Sequence, residues 1–137
     1  MYAENGQKEM FISQGEIFNE ITNEKYSYDK EKFFKHIIKK FGSEGKGAIE
    51  IGCGNGRLAK YISKHSKFYI GLDLSPVLLS QAVKQSPKNC IFLKSDFRLL
   101  GREFSFQDIG QIFRCYTSLG YFNKQEEISL LEGIKNQ

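Results

Sequence analysis

The sequence predicts an α/β fold with a doubly wound parallel sheet. The chain has three apolar runs, at residues 48–51, 67–74 and 90–94. Glycines follow the first run, the second contains a carboxylate near its end, and a carboxylate follows the third. From residue 33 onward the predicted order is helix, strand, helix, strand, helix, strand, strand, helix. Parallel strands joined by right-handed helical crossovers form such a sheet, and ligands bind at the carboxyl ends of its strands.

The first predicted helix is amphipathic and ends near Gly42, because glycine suits the position just past a helix. Its lysines form a solvated face and supply much of the formal net charge of +4. The predicted inner face consists of Phe33, Phe34, Ile37, Ile38 and Phe41.

The first predicted strand runs into three closely spaced glycines, in the sequence Glu-Ile-Gly-Cys-Gly-Asn-Gly at residues 50–56. Glycine lets a ligand approach the main chain, and a strand–loop–helix unit aims free N–H groups at whatever lies over the loop. The spacing differs from the G-x-G-x-x-G pattern of dinucleotide-binding loops. The loop therefore predicts a nucleoside cofactor, and a glycine-rich turn without a ligand is the alternative.

The second predicted strand ends in a carboxylate, Asp73, about twenty residues after the glycine loop. A nucleotide-binding fold puts the acid that binds a ribose at this place, and two neighbouring hydroxyls can both donate to one carboxylate. Ser75 is predicted to cap the next helix and Pro76 to occupy its first position. The alternative role for Asp73 is that of a turn or capping residue.

A third predicted strand, at residues 90–94, precedes a further carboxylate, Asp96, and the aromatic Phe97. Together the strand-end motifs resemble those of the class I S-adenosylmethionine-dependent methyltransferases. The sequence Thr-Ser-Leu-Gly-Tyr-Phe at residues 117–122 is similar to a stretch in small-molecule members of that class. The resemblance implies a Rossmann-like sheet, S-adenosyl-L-methionine as cofactor, and in-line attack of a substrate nucleophile on the sulfonium methyl group. A solvated loop aspartate is the alternative for Asp96.

The resemblance also implies a role for individual residues. The glycine loop would wrap the methionine part of the cofactor, Asp96 would accept a hydrogen bond from the adenine amino group, and Phe97 would back the adenine ring. The sequence assigns no catalytic residue and no metal ligand. The residues predicted to bind the cofactor are Glu50, Gly52, Gly54, Gly56, Asp73, Leu74, Asp96 and Phe97.

The fourth predicted strand departs from the family pattern. Members commonly begin it with an acid, whereas here Gly110 occupies the matching position and Asp108 lies two residues earlier. This offset weakens any role for Asp108 in ligand binding. Arg114, near the end of the strand, is predicted to be an arginine bonded to solvent, and contact with cofactor or substrate is the alternative.

The resemblance covers residues 28–137 and stops after the helix that follows the fourth strand, where family members continue into further strands. We therefore predict a partial sheet in the order 3-2-1-4. The chain divides into a leading segment, residues 1–28, which acts as a lid or packs on the sheet, and a cofactor-binding domain, residues 29–137. The fourth strand at the sheet edge is predicted to pair with a second copy or a partner chain.

Composition narrows the class of protein. The 137 residues are 40% hydrophobic, enough for one core, and no apolar stretch is long enough to span a membrane. The three cysteines are odd in number and far apart, which argues against a disulfide framework. We expect a cytoplasmic protein without membrane or nucleic-acid partners, because its lysines are scattered and form no dense basic field.

The predicted function is an S-adenosylmethionine-dependent methyltransferase that acts on a small molecule. The alternative is a catalytically incomplete cofactor-binding fragment or subunit that works through a partner chain. The glycine spacing disfavours a nicotinamide-dependent enzyme. The absence of an Asn/Asp-Pro-Pro-Tyr type motif after the fourth strand disfavours a nucleic-acid methyltransferase.

Overall fold

A four-stranded parallel sheet organises the chain in its computed structural model, which describes residues 30–41, 44–115 and 122–136. The strands follow one another across the sheet in the order β3-β2-β1-β4, which confirms the predicted partial doubly wound sheet. The predicted leading segment and Gly42 lie outside the described residues. The strands are β1 (Gly47–Ile51), β2 (Tyr69–Asp73), β3 (Cys90–Lys94) and β4 (Ile109–Phe113).

The described residues also form helices that alternate with the strands in the predicted order, with a short 3₁₀ turn added after β3. None of these described helices is long and apolar enough to cross a membrane. The helices are α1 (Lys30–Lys40), α2 (Ala59–Ser63), α3 (Pro76–Gln85) and α4 (Lys124–Lys135), and the 3₁₀ turn is Phe97–Leu99.

Local capping interactions fix where α3 and α4 begin. The Ser75 hydroxyl accepts a hydrogen bond from the Leu78 N–H at 3.3 Å, and Pro76 occupies the first turn, as the sequence predicts. At the start of α4, the Asn123 side chain and the Glu126 carboxylate each accept an N–H bond from the other residue. This reciprocal capping box satisfies two N–H groups that a helix terminus would leave without a partner.

The sheet separates two apolar clusters, because successive side chains of a strand point to opposite faces. One cluster lies under α1 and α2, and the other lies under α4 and the 3₁₀ turn. The first contains Phe34, Ile38, Ala59, Ile62, Tyr69 and Phe113, among others. The second contains Ile49, Ile51, Ile70, Leu72, Phe97, Leu100 and Leu130.

The predicted inner face of α1 is too wide. Phe34 and Ile38 are buried, but Phe33 is 42% exposed and Phe41 is 65% exposed. Residues four apart on a helix lie on the same side, so Phe34 and Ile38 form the narrow stripe that meets the sheet. The helix packs against one layer, and the flanking aromatic side chains therefore face outward.

A bulge explains the unusual start of β4. Gly47 pairs with Ile109, whereas Ala48 pairs with Gln111, so Gly110 is the extra residue on β4. The preceding Asp108 adopts a positive φ of 59° and sits at the amino end of β4, where its carboxylate accepts a hydrogen bond from Lys67 at 2.8 Å. Asp108 therefore lies at the opposite end of the sheet from the predicted cofactor site.

Candidate functional site

Parallel pairing brings the predicted site residues to one edge of the sheet. Asp73 pairs in register with Lys94, and the Ser95 N–H donates to the Asp73 carbonyl at 3.0 Å. The glycine loop after β1, Asp73 at the end of β2 and Asp96 after β3 therefore lie along the same carboxyl edge. This is the edge at which ligands bind in open α/β sheets.

The glycine loop folds back over the end of β2. All three of its glycines have positive φ, with values of 69°, 55° and 73° at Gly52, Gly54 and Gly56. The N–H groups of Gly52 and Cys53 both donate to the Leu72 carbonyl, at 2.8 and 3.1 Å. Only glycine adopts this conformation at little cost, so the three glycines are a requirement of the loop backbone.

Two of the glycines also differ in what surrounds them. Among the described residues, a Cβ added to Gly54 would meet only Leu78, with Cδ1 3.9 Å away, so no described side chain covers the backbone of the loop closely at this point. A Cβ added to Gly56 would lie 2.9 Å from Cβ of Ala82 and 3.1 Å from the ring of Phe92. Gly54 thus suits close approach of a ligand, whereas Gly56 lets α3 and β3 pack against the loop.

Asp73 holds the loop and the start of α3 together. Its Oδ2 accepts a hydrogen bond from the Gly54 N–H at 2.8 Å, and its Oδ1 accepts one from the Ser75 N–H at 2.9 Å. Burial raises the pKa of Asp73, and these N–H bonds oppose the rise. Asp73 therefore has the turn role that the sequence left open, and a carboxylate with about four acceptor positions has capacity for hydroxyl donors as well. The neighbouring Leu74 is half-buried.

Glu50 is a buried carboxyl group just before the glycine loop, with 3% of its surface exposed. It accepts a hydrogen bond from the Tyr69 hydroxyl at 2.5 Å. Burial raises the pKa of Glu50 to about 8, although the Tyr69 bond and the nearby Arg57 charge lower it. Glu50 is therefore mostly protonated at neutral pH, because burying the charged carboxylate would be costly.

Tyr69 is a site residue that the sequence reasoning missed. Its side chain reaches Glu50 across the paired strands β1 and β2, in which Glu50 and Gly71 are register partners. A Cβ on Gly71 would lie 2.7 Å from the Cys53 sulfur and 2.8 Å from Phe92. Nothing local in the sequence indicates the Tyr69–Glu50 bond, because the two residues are 19 positions apart.

Asp96, predicted to bind the adenine amino group, forms an ion pair in the structure. Its Oδ1 accepts from the N–H and the Nε of Arg98 at 3.1 and 3.0 Å, and its Oδ2 accepts from Nη2 at 2.6 Å. The remaining Nη1 of Arg98 donates to Glu126 on α4 at 2.8 Å. Arg98 was not predicted as a site residue, and its spacing of two residues from Asp96 is the signal that was available.

Phe97 points into the cluster beneath α4 and is 6% exposed. Its ring meets the ring of Phe122 edge-on, with centroids 5.6 Å apart. The adjacent Arg114 is not bonded to solvent as predicted, because its side chain is only 10% exposed and pairs with both oxygens of Glu127. The first turn of α4 covers the end of β4 and supplies this carboxylate, which the strand pattern alone does not indicate.

Comparison of sequences identifies the family. A family model described as a methyltransferase domain matches residues 48–136. The 18S rRNA (guanine-N(7))-methyltransferase of Mus musculus is 26% identical over 91 residues, which cover 64% of this chain and 32% of that protein. The ubiquinone biosynthesis O-methyltransferase of Coxiella burnetii is 28% identical over 78 residues, which cover 55% of this chain and 33% of that protein. The chain spans about a third of the length of these curated relatives.

Solved structures share the fold. Magnesium protoporphyrin IX methyltransferase from Synechocystis PCC 6803 has a TM-score of 0.69 at 14% identity, with 96% of this chain and 66% of that chain covered. A putative S-adenosyl-L-methionine-dependent methyltransferase from Methanococcus maripaludis has a TM-score of 0.73 at 18% identity, with 92% and 58% covered. With the family model spanning most of the chain, the protein belongs to the methyltransferase domain family, which confirms the resemblance to the class I S-adenosylmethionine-dependent methyltransferases.

Proposed function

We propose that the chain binds S-adenosyl-L-methionine and takes part in transfer of its methyl group to a small molecule. The observation that carries this proposal is the glycine loop, which is fixed to Asp73 and whose Gly54 backbone is not closely covered by any side chain of the described part of the chain. A nucleoside with a charged tail fits such a site, because the Asp73 carboxylate lies at its edge and accepts from hydroxyl donors. The N–H groups of Gly52, Cys53 and Gly54 are bonded within the protein and hold the shape of the loop.

Each predicted binding residue has a place in this proposal. Asp73 accepts hydrogen bonds from the ribose hydroxyls, and the half-buried Leu74 flanks the nucleoside. Asp96 contacts the adenine with its carboxylate, and Phe97 contacts it through the main chain and the 6% of its surface that is exposed. The methionine part lies over the loop formed by Gly52, Gly54 and Gly56, with Glu50 beneath it.

The cofactor supplies an electrophilic methyl group when it is bound, so the contribution of the protein is binding, orientation and exclusion of water. The proposed cofactor-binding domain is the whole of residues 29–137. No side chain of the described residues is assigned as a catalytic base. A catalytically incomplete subunit that binds cofactor and works through a partner chain remains the second form of the proposal.

A small-molecule acceptor is supported by the names of several relatives, which include a ubiquinone biosynthesis O-methyltransferase and a magnesium protoporphyrin IX methyltransferase. The rRNA methyltransferase relative suggests ribosomal RNA as the second candidate. Labelled methyl transfer from the cofactor to small phenols and amines, compared with transfer to ribosomal RNA, separates the two candidate acceptors.

The three cysteines are odd in number and far apart in the sequence, which argues against a disulfide framework and supports a cytoplasmic location.

The test of cofactor binding is calorimetry with S-adenosylhomocysteine and with its 2′-deoxy analogue. We expect the Asp73→Ala substitution to weaken binding of the parent ligand by roughly 1.5–3 kcal/mol, because the ribose loses its charged acceptor. Asp73 also holds the glycine loop, so the 2′-deoxy analogue is needed to isolate the ribose contact. The wild-type protein should prefer the parent ligand, and the variant should bind the two ligands equally.

The matched control is Asp108→Ala, which removes an exposed carboxylate at the amino end of β4 and should leave both affinities unchanged. No binding of S-adenosylhomocysteine by the wild-type protein contradicts the proposal. An equal preference for the two ligands in the wild-type protein contradicts the role assigned to Asp73.

We also propose that β4 mediates self-association. Among the described residues β4 pairs only with β1, so its other edge has backbone N–H and C=O groups available to a further strand. Sedimentation should show a dimer at tens of micromolar, and substitution of Ile112 by proline should shift it toward monomer. A wild-type protein that is monomeric, with slow amide exchange along β4, contradicts this proposal.

A further inference from the structure

We propose that Arg98 is a positioning residue that makes the site selective for adenine over hypoxanthine. The inference rests on the proposed function, in which Asp96 and Phe97 contact the adenine. The guanidinium of Arg98 contacts the carboxylate of Asp96 directly and reaches Phe97 through the ring of Phe122.

Arg98 fixes the carboxylate of Asp96 from two directions. Its backbone N–H and its guanidinium both donate to that carboxylate, so the side chain and the 3₁₀ turn hold the same group. A planar guanidinium that donates through two nitrogens restricts rotation of a carboxylate, whereas a lysine ammonium acts as a point charge. Arg98 therefore restricts the directions in which Asp96 presents its oxygens.

The third nitrogen of Arg98 ties this arrangement to α4. Nη1 donates to Glu126, and Glu126 also accepts the Asn123 N–H at 3.2 Å within the capping box. The acceptor for Nη1 is thus fixed by the helix terminus itself. Arg98 connects the end of β3 with the first turn of α4, 28 residues later in the chain.

The aromatic contacts extend the same arrangement to the ring of Phe97. The guanidinium carbon of Arg98 lies 4.8 Å from the centroid of the Phe122 ring, and that ring meets Phe97 edge-on. Stacking of a guanidinium on an aromatic ring is favourable when both are partly shielded from water. A single side chain therefore holds in place both groups that are proposed to contact the base.

The experiment compares S-adenosylhomocysteine with S-inosylhomocysteine by calorimetry. Hypoxanthine replaces the amino group of adenine by a carbonyl oxygen, which would meet the Asp96 carboxylate acceptor to acceptor. We expect the wild-type protein to prefer the adenosine ligand by about tenfold or more, since hydrogen bonds to charged groups are worth that factor. Arg98→Lys and Arg98→Met should each lower this preference to about threefold or less, because neither side chain offers the planar fork.

Two control variants should keep the preference of the wild-type protein for S-adenosylhomocysteine over S-inosylhomocysteine. Glu126→Gln keeps an acceptor for Nη1 and keeps the capping box, and Arg102→Met removes an exposed arginine four residues along the chain. A general loss of stability lowers the affinities for both ligands equally, so the ratio of the two affinities reports selectivity alone.

The outcomes separate the inference from the function on which it rests. A wild-type protein that binds neither ligand overturns the proposed function and the inference together. A wild-type preference that persists in Arg98→Lys and Arg98→Met overturns the inference and leaves the proposed function standing. Equal weakening of both ligands in the two variants shows a structural role alone and also overturns the inference.

Discussion

Replacing Glu50 with glutamine should remove a pH dependence of folding stability that this buried carboxyl imposes. Burial raises the pKa of Glu50 in the folded protein to about 8, compared with the ordinary value of 4.5 for the unfolded chain. At pH values between 4.5 and about 8, Glu50 keeps its proton in the folded state and has lost it in the unfolded state. The free energy of unfolding therefore falls as pH rises through this window, and the favourable contribution is fully present only below the unfolded pKa.

The size of the effect follows from the two pKa values. A difference of about 3.5 units corresponds to at most about 5 kcal/mol over the whole window, at 1.36 kcal/mol per unit. Between pH 5.5 and pH 7.5 the expected loss is about 2.5 kcal/mol. The free energy of unfolding of a typical domain is roughly 5–15 kcal/mol, so a loss of about 2.5 kcal/mol is large enough to measure.

Urea unfolding of the wild-type protein and of Glu50→Gln at several pH values tests this reasoning. The glutamine amide stays neutral and its oxygen still accepts the Tyr69 hydroxyl, so the variant should match the wild type near pH 5 and exceed its stability above pH 7. The difference between the two proteins cancels the titration of groups that do not interact with Glu50, such as Asp108, whose pKa Lys67 lowers. Parallel pH profiles for the two proteins would refute the assignment of a buried neutral carboxyl.

Two further predictions concern packing and ion pairs. Gly56→Ala should destabilise the protein by about 2–4 kcal/mol through positive φ and overpacking. Gly45 has a φ of 78° and no atom of the described residues within 4 Å of an added Cβ, so Gly45→Ala should cost only about 1–2 kcal/mol. Equal losses in urea unfolding would show that the packing contact is unimportant. Arg114→Met should lower the free energy of unfolding by about 3–5 kcal/mol, because it removes the guanidinium that pairs with the mostly buried Glu127. Lys67→Met breaks an exposed pair with Asp108 and should lower it by under about 1 kcal/mol. A small loss in Arg114→Met, measured by the same method, would contradict the burial argument.

The strand-end positions were predictable because they follow from local patterns, whereas the sheet order was predicted from the resemblance to the methyltransferases. An apolar run identifies a strand, and a serine followed by proline identifies the start of a helix, as at Ser75. The glycine loop was equally readable, because its alternate glycines adopt positive φ for reasons of backbone geometry. These features depend on residues close together in the chain.

The ion pairs of the site were not predictable in the same way. Arg98 meets Glu126 across 28 residues, and Arg114 meets Glu127 across 13 residues. Opposite charges at such separations carry no periodic signal, and many arginines in a strand end are solvated. Only the packing of α4 against the carboxyl end of β4 and the 3₁₀ turn brings these carboxylates to the two guanidinium groups.

The hydrogen bonds of Asp73 give a physical reason why the glycine loop and the strand-end carboxylate occur together. The loop needs Asp73 for its own shape, because the Gly54 N–H donates to that carboxylate. A ribose bound at Asp73 would then meet an acceptor whose position the loop has already fixed, so little conformational freedom remains to be lost on binding. Removing either partner disturbs the other, and the two motifs act as one unit. The spacing of 19 residues between Gly54 and Asp73 is therefore set by one strand crossover and by the requirement that the two groups meet.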